Sequence, residues 1–397
     1  MKRTPHILAA GAAALIMTGV QTGVQGTASA APAAGPWTGT WAAAPQSGGD
    51  TFTQQTVRQI VRTSIAGTSA RVRLSNVFGN APLTVQDIHV ARRTSGSSVS
   101  AATDRTVTFG GQRTVTIPAG GSAVSDEVAF PVDALSDVAV SFHLPRTTGP
   151  VTYHQSGLQT NYVAAGDVSG NANLTNARTT NSYYFLSGLD VVNPAAEGAV
   201  VTLGASITDG IASRNDANRR WPNELASRLV GAGRTVGVLN QGISGNQLLT
   251  DGAGQSALNR FDRDVLSQPG VRWVVFADDP INDLSNTNPT ADRLIGGLKQ
   301  LIARAHERGV KFLCSTLTPF EGAGGWKPEL ETKRAAVNSF VRGAGSGCDG
   351  VIDQDAATHD PARPTKFRAE YDSGDHLHPN EAGLRAIAGA VDPALLR

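Results

Sequence analysis

The feature that most constrains the fold is a change of periodicity at "NPAAEG", residues 193–198. Ahead of it, from Trp37 to about Asp190, short segments alternate apolar and polar residues and are broken at close intervals by Gly, Pro, Asn and Ser. "ARVRLSNVFG", "RTVTFGG", "RTVTIPAG" and "SDVAVSFHLP" show the pattern. Val72 and Leu74 fall on one face and Arg71 and Arg73 on the other, and Val138, Val140 and Phe142 repeat it. Side chains of a strand point alternately to opposite faces, so a period of two over many short segments predicts an antiparallel β-sandwich, jelly-roll-like, over residues 37–190.

Beyond the change, apolar runs alternate with stretches of helical period. "AVVTLGAS", "TVGVLNQGI", "RWVVFAD", "KFLCSTL" and "GVIDQD" read as strands. Between them, Pro222 sits near the start of one helix and Pro328 opens another. "TADRLIGGLKQLIARAHERG" carries Leu294, Ile295, Leu298, Leu301 and Ile302 on one stripe, with Gly309 after its end. Asn380 is placed to cap a last helix. Strands alternating with helices predict a parallel sheet covered on both faces over residues 197–397, with its chemistry on the carboxyl edge.

Length and ends set the remaining bounds. The chain has 397 residues, enough at roughly 150 per domain for two domains. Residues 1–30 carry Lys2 and Arg3, then "ILAAGAAALIMTGV", then "ASA", the three parts of a cleaved signal peptide, which predicts a secreted, extracellular protein. That apolar run is too short and broken for a stable membrane anchor. Losing it removes Lys2 and Arg3 and no acid, so 34 basic against 33 acidic side chains becomes 32 against 33. A near-neutral chain without dense basic runs argues against nucleic acid as a partner. Oligomeric state is not written in the sequence. The two cysteines, Cys314 and Cys348, leave a single bridge or a buried thiol equally open.

In "VVTLGASITDG", Ser206 ends the first strand of the second region, where its side chain projects from the carboxyl edge beside a helix N-terminus. A serine hydroxyl needs a base, an orienting carboxylate and donors for an oxyanion. "DSGDHLHPNEAG" offers Asp375 and His378 three residues apart, a spacing that lets the carboxylate hold one imidazole nitrogen while the other faces the serine. His376 is the local competitor, but it is adjacent to Asp375 and points away from it. Donors come from "NQGISGNQLL", with Gly242 and Gly245, and from "PINDLSNTNP", with Asn282. Each motif alone also suits a turn or a helix cap. Together they deliver Ser, Gly, Asn, Asp and His to one edge.

"GASITDG", "GISGN", "IND" and "DHLHP", in this order, resemble the four sequence blocks of the SGNH, or GDSL, hydrolases. The resemblance spans about Ala199 to the C-terminus. "RWPNEL", "RFDRDVL" and "TLTPF" look like those of secreted actinobacterial members, and "WTGTWAAAPQ" and "VRLSNVFG" resemble the β domain that precedes their hydrolase domain. It implies a flavodoxin-like three-layer α/β sandwich. Ser206 would be the nucleophile, Asp375 and His378 would complete the triad, and the N–H groups of Ser206 and Gly245 with the Asn282 side chain would form the oxyanion hole. Thr208 stands where a G-x-S-x-G elbow has its second glycine, which argues against the α/β-hydrolase fold. Two positions depart from the pattern: Ala205 replaces the acid of Gly-Asp-Ser, and Pro280 replaces a glycine two residues before Asn282. Because proline fixes φ and lacks an N–H, Pro280 is expected to alter the loop that aims Asn282.

The reading is a serine hydrolase cleaving carboxylic esters, carbohydrate O-acetyl or short-chain and lipid esters, on a small-molecule or polysaccharide substrate. No metal-ligand cluster, phosphate loop or dinucleotide fingerprint occurs, so no metal and no cofactor is expected. Its rival is a secreted carbohydrate-binding protein on a weakly active or inactive hydrolase scaffold, which the Pro280 region favours. "THDPARPTKFRAEYDSG" reads as a loop over the catalytic edge.

Overall fold

The computed structural model describes Met1 and residues 36–397, and the leader read at 1–30 otherwise lies outside the described residues. Residues 36–397 pack as one compact unit. In its first half the period-two segments pair antiparallel into two larger sheets, beside a small three-stranded one of Tyr183–Tyr184, Thr152–His154 and Gln46–Ser47. One has the order Trp37–Ala42, Leu186–Val192, Ser69–Ser75, Ser122–Val124. The other runs Arg178–Thr180, Asn161–Ala165, Gln55–Arg62, Asp137–Leu144, Leu83–Ser95, and the last of these also pairs with Thr114–Ile117 and Arg105–Val107.

The inward face of each sheet supplies one shared core. Ala70, Val72 and Leu74 meet Val138, Val140 and Phe142 there, all buried. Removing a Val or Leu side chain of this kind from water contributes roughly 1.5–3 kcal/mol. The outer face of Ser69–Ser75 is polar yet covered: Arg71 Nε lies 2.9 Å from the fully buried Asp190 carboxylate. It is covered because the other half of the chain packs there.

In that half five parallel strands take the order Val236–Gly242, Gly198–Gly204, Val271–Phe276, Lys311–Ser315, Gly350–Ile352. Numbered along the chain this is 2-1-3-4-5, the flavodoxin-like order, whose switch point lies between the first and third strands. Helix Trp221–Gly231 packs with Glu381–Ala390, and Ala291–Glu307 with Ala257–Phe261 and Pro328–Arg342, in two separate groups. Leu294, Leu298, Leu301 and Ile302 form the buried stripe their spacing predicts. Cys314 and Cys348 are joined in a disulfide.

The edge strand Val236–Gly242 is not left open. Val238 N–H donates to Ser64 Oγ at 2.9 Å, and Gly39 N–H donates to the Pro269 carbonyl at 3.0 Å. A Cβ on Gly237 would stand 2.2 Å from the Gly39 carbonyl oxygen, so glycine in the edge strand lets the first strand of the β-rich half approach this closely. Among the described residues no helix is long and apolar enough to cross a membrane.

Candidate active site

Ser206 opens a one-turn helix, Ser206–Asp209, directly after the strand Gly198–Gly204. Its Oγ lies 2.9 Å from His378 Nε2, and His378 Nδ1 lies 2.6 Å from Asp375 Oδ2. The turn holding this pair closes on itself. Asp375 Oδ1 accepts the N–H groups of Leu377 at 2.9 Å and His378 at 2.8 Å. Asn380 then caps the last helix by accepting from Ala382 and Gly383.

Burial pushes the Asp375 carboxyl up, but hydrogen bonds from the His378 ring and from the N–H groups of His378 and Leu377 outweigh it and hold the group well below the usual carboxylate range. Asp375 is therefore ionised beside the ring. His376, with φ of 62°, pairs instead with Asp372 and makes no bond to Ser206.

The residues expected as donors lie in the segments after the second and third strands. An added Cβ on Gly242 would lie 2.3 Å from Asp209 N, and Gly245 has φ of +80°, so both positions require glycine. Among the described residues, Gly245 N–H donates to no group of the fold. Asn282 Nδ2 donates to the Asn246 carbonyl at 2.8 Å, joining the second loop to the third.

The third segment differs from the expected loop: Asp279–Asn286 is a helix. Pro280 sits in its first turn, where an N–H has no partner within the helix and a φ near −65° is already required. Proline therefore fits a helix start that carries Asn282, rather than distorting a loop.

The acid missing at Ala205 has a counterpart in the third segment. Asp278 Oδ2 accepts the Ile207 N–H at 2.8 Å and Oδ1 accepts from Thr208 Oγ1 at 2.5 Å, so a carboxylate sits at the N-terminal end of the Ser206 helix. A Cβ on Gly204 would stand 2.4 Å from Asp278 Oδ1, so glycine there makes room for it.

Beneath lies a buried charge network that sequence reasoning missed. Arg260 donates to the carbonyls of Gln241 at 2.6 Å and Gly204 at 3.0 Å, tying together the ends of the two strands that supply Ser206 and Gly245. It stands 3.4 Å from Asp264 and 3.7 Å from Asp279. Burial pushes Asp279 up to about 7; Arg260 opposes the rise, and the neighbouring Asp278 adds to it. The signal for Arg260, one of two arginines in "LNRFDRDVL", is indistinguishable from that of a surface residue.

A strand-ending serine in contact with a His–Asp pair, on a sheet of order 2-1-3-4-5, belongs to a carboxylic ester hydrolase. Residues 202–386 match the model of the GDSL-like lipase/acylhydrolase family, and this part of the chain is a domain of that family.

Solved structures similar to the chain include a GDSL-like lipase from Bacteroides thetaiotaomicron, at 18% identity over 50% of this chain and 88% of that one, with a TM-score of 0.38. A lipase/acylhydrolase from Enterococcus faecalis is 21% identical over 49% and 92%, with a TM-score of 0.38. A variant of a Geobacillus acetyl-xylooligosaccharide esterase is 20% identical over 49% and 93%, with a TM-score of 0.38. No curated protein matches by sequence.

Proposed function

We propose that the chain is a secreted serine esterase acting through an acyl-enzyme. The observation that carries this is the continuous path from Asp375 through His378 to Ser206, with contacts of 2.6 and 2.9 Å. His378 Nε2 takes the hydroxyl proton as Ser206 Oγ attacks the ester carbonyl. The negative charge that develops on the carbonyl oxygen is met by the N–H groups of Ser206 and Gly245 and by the second amide hydrogen of Asn282. His378 returns the proton to the departing alcohol, leaving Ser206 acylated. Water then repeats the sequence, and the free acid leaves.

Asp375 keeps the ring in the tautomer whose Nε2 can accept. Its side chain is 50% exposed, so the site is open on that side, which suits an ester carried on an acetylated polysaccharide as well as a small free ester. Secretion is read from the leader, and the disulfide supports an oxidising compartment. The pairing order within the two antiparallel sheets supports a jelly roll for the β-rich half.

The test is hydrolysis of p-nitrophenyl acetate by the mature chain. Ser206→Ala is expected to lower kcat by about 10⁴-fold or more. Equal rates for the two proteins would remove the esterase reading. Profiling over acetyl esters, longer acyl chains and acetylated xylan then ranks the substrates.

A further inference from the structure

The β-rich half reaches the back of the site through residues 152–160. His154, at the end of the strand Thr152–His154, is 7% exposed, and it meets Asp209, at the end of the Ser206 helix and 2% exposed. Its Nδ1 lies 3.0 Å from the Ala44 carbonyl and its Nε2 lies 3.1 Å from Asp209 Oδ1. Both neighbours accept hydrogen bonds. The ring is therefore held at both nitrogens, between the β-rich half and the Ser206 helix.

The other oxygen of Asp209 is committed to the second loop. Oδ2 accepts the Ser244 N–H at 3.0 Å and the Ser244 hydroxyl at 2.6 Å. Ser244 is the residue whose carbonyl carbon forms the peptide bearing the Gly245 N–H. A run of contacts therefore passes from the Ala44 carbonyl through His154, Asp209 and Ser244 to a donor placed for the oxyanion.

The same segment of the β-rich half also holds the chain that leaves the Ser206 helix. Asp216 Oδ1 accepts from Gln159 Nε2 and from the Thr160 N–H, each at 2.6 Å. Asp216 N–H donates to the Leu158 carbonyl at 3.1 Å, and Arg220 donates to the Gly157 carbonyl.

We propose that His154 is a positioning residue for ester hydrolysis: the β-rich half aims the Gly245 N–H through Asp209 and Ser244. The proposal rests on the reading of Ser206 and Gly245 given above. It assigns the β-rich half a part in turnover that a separate sugar-docking module would not have. A donor must sit about 2.7–3.1 Å from the oxyanion to stabilise it, and small misplacements are costly in rate while leaving ground-state binding alone.

The experiment compares kcat and KM on p-nitrophenyl acetate for the wild type, His154→Phe, His154→Gln and Ser244→Ala, each first checked for fold by circular dichroism. His154→Phe and Ser244→Ala are expected to lower kcat by roughly ten- to a hundredfold while KM moves less than about threefold. His154→Gln still presents an N–H to Asp209 and is expected to recover most of the loss.

Wild-type kcat in Ser244→Ala or in folded His154→Phe overturns the proposal, and so does a loss in His154→Phe that glutamine fails to recover. Should His154→Phe not fold, Ser244→Ala decides alone, since it removes only a hydroxyl from a loop. Turnover that survives in Ser206→Ala strikes the reading of the site itself, and that variant touches neither His154 nor Ser244.

Discussion

The proposed acid–base side of the site and its proposed donor side are held in different ways. Asp375 and His378 are three residues apart on a turn whose hydrogen bonds stay within the turn. The donor side depends on contacts between distant parts of the chain: Ile207 with Asp278, 71 residues apart, Asn246 with Asn282, 36 apart, and His154 with Asp209, 55 apart. One side is half exposed at its carboxylate, whereas the other is built over fully buried Asp279 and Arg260. A change on the first should alter chemistry alone. A change on the second should disturb the fold as well.

The largest break in that comparison is Asp375→Asn. The asparagine oxygen can still accept from the backbone of the turn, but its amide hydrogens face Nδ1 and favour the tautomer with the proton on Nε2, which cannot take one from Ser206. We expect kcat to fall about 10⁴-fold with little change in thermal midpoint. A large loss of stability would show that this turn, too, is part of the framework.

Asn282→Ala comes next. Losing one oxyanion donor costs about 10²–10³-fold in kcat. Here it also removes the bond to the Asn246 carbonyl, so denaturant unfolding should show a loss of about 1 kcal/mol together with the rate. If the rate falls while stability holds, the link between the second and third loops contributes nothing to the fold.

The same contrast decides what the sequence made legible. Asp375 and His378 can be paired on paper because a spacing of three is a local relation. The five parallel strands are readable for a similar reason, since each is a contiguous apolar run between helical stretches. Pro280 misled for lack of context: a proline in the first turn after two acids is a helix start, but the run "SNTNP" that follows looks like loop. In the segment before Asp375 the charges and prolines conceal a short helix, Gln354–Thr358, and a hairpin of His359–Asp360 with Arg363–Phe367. His154 carried no signal at all, because its partner lies in the other half of the chain and no periodicity encodes such a contact. The pairing of Cys314 with Cys348, 34 residues apart, was open because a small apolar residue in a buried strand and a bridged cysteine read alike in sequence.

The buried network offers the finest test, because it should alter stability without altering turnover. Burial holds the Asp279 carboxyl up at about 7, against 3.8 for an ordinary aspartate, so between these values the folded chain keeps a proton that the unfolded chain releases. Stability therefore falls as pH rises across that window and levels off above it, where both states are ionised. Asp279→Asn keeps an oxygen for Asn246 Nδ2, which now donates to Oδ1 at 2.9 Å, and removes the titration. Relative to this variant, the wild type should lose about 4 kcal/mol between about pH 4 and pH 8 in urea unfolding, with kcat at pH 7 within about threefold of the variant's. Parallel pH profiles for the two proteins would mean that Arg260 keeps Asp279 ionised throughout, and the donor side would then rest on a full ion pair.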